Sequence, residues 1–296
     1  MPEGDTVWLA SHNLRSALAG EVVVRSDFRV PRYATVDLAG RRIESIAARG
    51  KHLLWRFRGA ASAGPQNRNG AASAGPQNRN GAASAGPQSG DSLTLHTHFR
   101  MDGSWRLYER ARRWRGPDHA IRVLIETERW VAIGLRLPVV ELLATSREAD
   151  VVGHLGPDLL GDDWDAARAV ARLSAQGSRA VGEVLLDQTV MAGLGNVYKC
   201  EICFLRGLDP WASVDRIGDL DGVVDLAKRL MEANRYTARH VTTGDTGRGR
   251  TNWVYGRAEK PCRRCGTSIR RGEQAGDSNG RVVYWCPRCQ PALARF

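Results

Sequence analysis

No apolar run in this sequence approaches the roughly 18–20 residues needed to span a bilayer. The opening Met-Pro-Glu-Gly-Asp has neither the basic patch nor the apolar stretch of a secretory signal, so a cytoplasmic protein is expected. Lysine is scarce: of 43 basic residues only Lys51, Lys199, Lys228 and Lys260 are lysines. Acid is short as well, with 32 Asp and Glu, and the formal charge is +11. That balance favours a polyanionic partner, nucleic acid before membrane. The excess is clustered: from Lys228 to Phe296, 15 Lys and Arg face five Asp and Glu, a net of +10. A general preference for arginine over lysine explains the choice of base but not the clustering. Cysteine is limited to six residues, which in a reducing compartment argue for a metal site before disulfides.

What is present is enough for two domains of ordinary size: 296 residues, 42% hydrophobic, with nine tryptophans. Apolar positions Val7, Leu14, Ala17 and Leu18 carry a helical period over Thr6–Leu18, closed by Gly20. Short β-like runs follow at Glu21–Val24, Arg42–Ile46 and His52–Phe57, then at Ser92–Thr97, Ser104–Tyr108, Ala120–Glu126 and Trp130–Leu135. Several short strands behind one helix predict a β-sandwich. Between two of those strands GAASAGPQNRN runs from Gly59, recurs from Gly70 and restarts at Gly81. Glycine and proline in every copy exclude a continuous helix, so a disordered low-complexity insertion over 59–90 is expected. The helical period returns at Asp163–Leu173, Arg179–Thr189, Val197–Leu205 and Leu220–Asn234. The fold class is therefore α+β. Its expected domains are a β-sandwich over 1–142, a linker over 143–160, a helical domain over 161–245 and a small cysteine-bearing module over 246–296.

Cys262-Arg-Arg-Cys265 and Cys286-Pro-Arg-Cys289 are two CxxC knuckles separated by 20 residues. Each knuckle turns two thiolates toward one point, and two complete a tetrahedral sulfur cage for one zinc ion. Four protein ligands leave no open position, so the zinc is read as structural; iron–sulfur ligation is the alternative. Gly280–Trp285 reads as one arm of a hairpin that presents Arg281 near its tip. Cys200 and Cys203 form a third CxxC, but on an apolar helix, where free cysteine acts as a small buried hydrophobe.

Proline at position 2 permits removal of Met1, which leaves a secondary α-amine. An α-amino group ordinarily titrates at about 8, so a useful fraction is neutral at physiological pH. Such an amine can attack a deoxyribose C1′ and form an iminium, and Glu3 beside it can exchange protons. Many chains begin Met-Pro-Glu, so this feature alone says little.

Taken together, the motifs resemble the formamidopyrimidine-DNA glycosylase/endonuclease VIII family, the bacterial, actinobacterial-type endonuclease VIII branch most closely. The resemblance rests on Met1–Gly4, Arg49-Gly-Lys-His-Leu-Leu-Trp55, His98-Phe-Arg-Met-Asp-Gly-Ser-Trp105, Leu185–Gln188 with Gly193–Tyr198, Val254–Arg257, and the ribbon from Arg281 to Gln290. These occur in family order and span nearly the whole chain outside the repeats. The resemblance implies a helix–two-turn–helix element, a bifunctional glycosylase and lyase, damaged DNA as partner, and a monomer. It makes Pro2 the nucleophile, Glu3 the general acid/base, and Lys51 a second proton donor or phosphate clamp; a solvated turn lysine is the plainer reading of Lys51. Arg281 becomes a bidentate phosphate clamp, since a guanidinium is a poor acid at neutral pH. Met101 becomes the wedge that fills the vacated stack, with Arg100 beside it, unless Met101 is buried in the sandwich. Asn196 opens a helix whose first N–H groups are expected to face a DNA phosphate.

Three departures matter. The Asp-Pro-Arg-Arg-Phe-Gly loop of the guanine-lesion branch is replaced by Gly134-Leu-Arg-Leu-Pro138, in which Arg136 is a looser DNA-binding candidate. The loop before Val254 is short, and position 6 is Thr where relatives often carry Glu. The first two favour oxidised pyrimidines. A catalytically silent reader of damaged DNA is the alternative function. A zinc-ribbon RNA or ribosome factor would leave Met-Pro-Glu and Lys51 unexplained.

Overall fold

The computed structural model describes residues 2–59, 92–112, 114, 116–274 and 280–292, so nearly all of the repeat insertion lies outside the described residues. Helix α1 (Gly4–Leu18) leads into eight strands: β1 (Arg25–Phe28), β2 (Arg42–Arg49), β3 (His52–Arg58), β4 (Leu93–His98), β5 (Ser104–Glu109), β6 (Ile121–Glu126), β7 (Trp130–Leu135) and β8 (Val139–Ala144). They form two antiparallel four-stranded sheets, ordered β1-β6-β7-β5 and β2-β3-β4-β8. Alternate residues of both sheets and the inner face of α1 meet in one core around Leu14, Leu18, Ile46, Trp55, Phe57 and Ile125, all buried.

Two features depart from the expected strands. Glu21–Val24 is not a strand; it makes only an isolated bridge between Val22 and Arg42. Its backbone changes partner too often for a ladder: Val23 N donates to Arg41 O at 2.9 Å, and Val24 N to Glu126 O, in the other sheet, at 2.8 Å. The segment is a corner joining the two sheets, and the strand proper begins at Arg25. Strand β8 is absent from the expected runs, and it carries the sandwich past the expected boundary at residue 142. The stretch after it is packed and not a loose tether: Leu155, Asp158 and Leu159 are buried.

The helical unit comprises the short α2 (Ala149–Val152), then α3 (Ala166–Ser174), α4 (Val181–Val184), α5 (Asn196–Leu205) and α6 (Leu220–Asn234). Asp165 caps α3 by accepting from Arg168 N at 2.9 Å, so that helix starts later than the apolar period suggests. The expected helix over Arg179–Thr189 is regular only across α4. Beyond it Asp187 accepts from Thr189 N at 3.1 Å and from Thr189 Oγ1 at 2.7 Å, a local bond that competes with helix. Gln188 then ties the turn, donating to Leu194 O at 3.0 Å and accepting from Gly193 N at 3.0 Å.

Strands β9 (Arg270–Gln274) and β10 (Arg281–Trp285) make an antiparallel hairpin. Its core, Val254, Ile269, Val283 and Cys286, continues into Cys200 and Phe204 of α5. Cys200 and Cys203 are thus core residues, as expected, and burial pushes their thiols up to about 11 and about 12. No described helix is long and apolar enough to cross a membrane.

Candidate active site

Glu3 is fully buried and precedes the first turn of α1. Its carboxylate reaches across the domain boundary to the start of α5. Gly195 N donates to Oε2 at 2.8 Å, Val197 N to Oε1 at 2.7 Å and Tyr198 N to Oε2 at 3.5 Å. Backbone N–H groups at a helix start have no intrahelical acceptor, so they form a ready anion site. Here the anion is the chain's own carboxylate. Glu3 thus takes three of the N–H groups at the helix start where a DNA phosphate was expected.

Two glycines make the approach possible. A Cβ on Gly195 would sit 2.5 Å from the Glu3 carboxyl carbon, and one on Gly4 would sit 2.8 Å from Gly193 Cα. Gly4 N also donates to Gly193 O at 2.9 Å, which seats the amino-terminal segment, Pro2 included, against the turn before α5. We expect Gly195→Ala to displace Glu3 and to reduce strand cleavage by about 10²-fold, the scale of a misplacement near 1 Å; a cleavage assay with matched DNA-binding measurements checks this.

Lys51 occupies the turn between β2 and β3, after Gly50 at φ +56. Gly50 N donates to Asp158 Oδ2 at 2.6 Å, which anchors the turn to the helical unit. Burial pushes the Glu3 carboxyl above its ordinary range, with Asp5 adding to the shift; Lys51, His240 and the Val197 N–H pull the other way. Burial likewise pushes the Lys51 amine down, assisted by Arg281 and opposed by Glu3. Each group's charged form is therefore disfavoured by burial and supported by the other.

Arg281 is the first residue of β10 and is exposed. The hairpin is seated on α5: Asn196 Nδ2 donates to Val282 O at 2.8 Å and Lys199 Nζ to the same oxygen at 3.4 Å. The Asn196 carboxamide is buried and turned onto the hairpin that carries Arg281. Glu201, which the sequence motifs do not single out, supports the same region. Its carboxylate accepts from Trp253 N at 2.8 Å, Val254 N at 2.9 Å and Tyr255 N at 2.8 Å. A glutamate set among Cys200, Ile202, Cys203 and Phe204 in a largely apolar helix was the available signal.

Met101 is 55% exposed at the β4–β5 turn, so the reading that buries it in the sandwich is excluded. Arg100 beside it is exposed, with φ +48, and its N–H donates to His98 Nδ1 at 3.0 Å. Burial pushes His98 down to about 4, which keeps that ring neutral and able to accept. Arg136 is also exposed, at φ +46, and shares a surface cleft of about 940 Å³ with Asp102, next to Met101. The turn thus presents an apolar tip flanked by arginines.

The Sγ atoms of Cys262, Cys265, Cys286 and Cys289 lie within 4.8 Å of one another. Cys262–Cys289 is 3.9 Å and Cys265–Cys286 3.5 Å. A zinc tetrahedron with bonds near 2.3 Å has edges of about 3.8 Å, far longer than a disulfide. Arg264 N and Cys289 N donate to knuckle sulfurs at 3.4 and 3.5 Å. The four cysteines form a site for one structural zinc ion, which when bound cross-links the hairpin base. Stripping it with a chelator, or Cys286→Ser, should release one zinc per chain and weaken DNA binding at least about 10-fold. Metal analysis and fluorescence anisotropy check the two effects.

Profiles for the formamidopyrimidine-DNA glycosylase N-terminal domain, the formamidopyrimidine-DNA glycosylase H2TH domain and the zinc finger found in FPG and IleRS match residues 1–134, 155–233 and 259–292. Probable endonuclease 8 2 of Streptomyces coelicolor is 49% identical over 300 residues, covering 99% of this chain and 95% of that protein. DNA-(apurinic or apyrimidinic site) lyase Nei2 of Mycolicibacterium smegmatis is 42% identical, covering 99% and 100%. The crystal structure of Lactococcus lactis formamidopyrimidine-DNA glycosylase bound to abasic-site DNA superposes with a TM-score of 0.71 at 21% identity, covering 98% of this chain and 100% of that one. With the fold, the zinc site and these identities in agreement, the chain belongs to the formamidopyrimidine-DNA glycosylase/endonuclease VIII family, alongside the endonuclease 8 proteins of actinobacteria.

Proposed function

We propose that the chain is a bifunctional DNA glycosylase and AP lyase of base excision repair, acting as a monomer on oxidised bases, pyrimidines above all. The observation that carries this reading is the buried Glu3 carboxylate, held at the domain boundary beside Pro2 with Lys51 within its electrostatic reach and Arg281 within that of Lys51.

The Pro2 nitrogen attacks C1′ of a flipped nucleotide, and the N-glycosidic electron pair leaves with the base, which takes a proton from the Glu3–Lys51 pair. Ring opening gives an iminium between Pro2 and C1′. Loss of a C2′ proton expels the 3′ phosphate, and a second elimination expels the 5′ phosphate. Hydrolysis frees the sugar remnant and restores the amine. Arg281 binds the departing phosphate bidentately. Met101 fills the gap left in the stack, with Arg100 and Arg136 toward the opposite strand. Asn196 acts through the hairpin it holds.

A panel of defined lesions in duplex and single strands, scored for cleavage and borohydride-trapped adduct, tests the reading. Thymine glycol is expected to be cut faster than oxidised guanine; the reverse order overturns the pyrimidine preference, and binding without any adduct leaves only a reader of damage. Affinity should follow salt with a slope of about −0.9 per phosphate neutralised, so six contacts cost on the order of 10³-fold between about 50 and 200 mM.

A further inference from the structure

A second buried carboxylate lies two residues from Glu3. Asp5 is 1% exposed, and its neighbour Thr6 is uncharged. Asp5 Oδ2 accepts from Tyr198 Oη at 2.6 Å, while Oδ1 accepts from Thr6 N at 2.7 Å and lies 3.2 Å from His240 Nε2. The Tyr198 and His240 rings meet edge to face at 5.3 Å. Three elements converge on one carboxylate: α1, α5 and the segment after α6.

That segment is built as a strap. Asn234, at the end of α6, closes it by donating to Val241 O at 3.0 Å and accepting from Val241 N at 2.7 Å. Its outer part clasps α1: Tyr236 packs edge-on to Trp8 at 5.0 Å, and the Arg235 guanidinium lies 5.2 and 5.0 Å from the Trp8 and Tyr236 ring centroids. Its inner end delivers His240 to Asp5.

Building on the function proposed above, we infer that Asp5, Tyr198 and His240 are positioning residues for catalysis, a charged clasp through which the strap holds the Pro2–Glu3 segment in register with α5. The groups facing His240 are Asp5 on α1, Glu3 ahead of it and Tyr198 on α5. Burial alone would push the imidazole down, but the hydrogen bond and charge of Asp5, with Glu3, carry it above its ordinary value. A protonated His240 then neutralises Asp5 and supports the carboxylate form of Glu3, which feels both charges.

The test uses the full zinc-loaded chain with Asp5→Asn, His240→Gln and the double variant. Single-turnover base excision is expected to fall between about 10- and 100-fold in each, with less than about a twofold change in DNA affinity. The double variant should be no worse than the poorer single, because the residues act as one unit. In His240→Gln the limb of the pH profile governed by Glu3 should move to higher pH. Carbon NMR of labelled Glu3 should show the same upward shift, and His240 should titrate lower in Asp5→Asn than in the parent. These titrations do not depend on turnover, so absence of any trapped adduct in the parent would sink the proposed function while leaving the clasp measurable. An unmoved Glu3 titration in His240→Gln, or single-variant losses that simply multiply, would overturn the clasp. A variant changed only in melting temperature would do the same.

Discussion

A chain that keeps even one extra residue ahead of Pro2 is expected to form no borohydride-trapped adduct with abasic-site DNA and to lose at least about 10³-fold in strand cleavage, the scale of deleting a catalytic nucleophile. The reason is electronic before it is steric. An acylated proline nitrogen is an amide, its lone pair is delocalised, and it cannot form an iminium. The site adds a steric argument, because Gly4 is pressed against Gly193 and Glu3 is fully enclosed, so the segment cannot slide to bring the new terminal amine to the place of the Pro2 nitrogen. DNA binding should survive, since the basic last quarter of the chain and the hairpin seated on α5 are untouched. Gel-shift titration and mass spectrometry of the reduced mixture separate the two functions. A blocked chain that still traps DNA at the parental rate would place the nucleophile elsewhere.

The parts of this site that sequence reveals are those whose chemistry is local. Two CxxC knuckles announce their geometry by spacing alone, and the structure brings their sulfurs together. Lys51 stands out because its turn is short and lysine is rare in the chain. What stays hidden depends on distant partners. Nothing near Asn196 tells that the N–H groups opening α5 are filled by Glu3, 192 residues away from Gly195. A still larger separation conceals Asp5 and His240, which are 235 residues apart. The misread secondary structure has a related cause. Glu21–Val24 has strand composition but is shared between two sheets, and the stretch after Val184 has helical periodicity but is captured by the Asp187 and Gln188 side chains. Composition records a residue's preference, whereas tertiary partners decide whether the preference is used.

Lys51→Met is expected to lower single-turnover base excision by about 10²–10⁴-fold, the range for loss of a positioned proton-transfer group. It should also move the limb of the pH profile governed by Glu3 to higher pH. The sign follows from the site. Burial is the main influence raising the Glu3 carboxyl, and Lys51 is the largest influence opposing it. Without the ammonium the carboxylate loses its largest charge support, so it takes up its proton at higher pH than before. Lys51→Arg separates the two roles open to this residue. Arginine keeps the charge but cannot give up a proton near neutrality, so it should return the Glu3 limb toward its parental position whichever role is correct. If Lys51 donates a proton to the leaving base, the rate should stay low in Lys51→Arg even with the limb restored. If it only clamps a phosphate, rate and limb should recover together. The half-buried position of its amine, which burial pushes below the usual lysine range while Glu3 supports its charge, favours the first result.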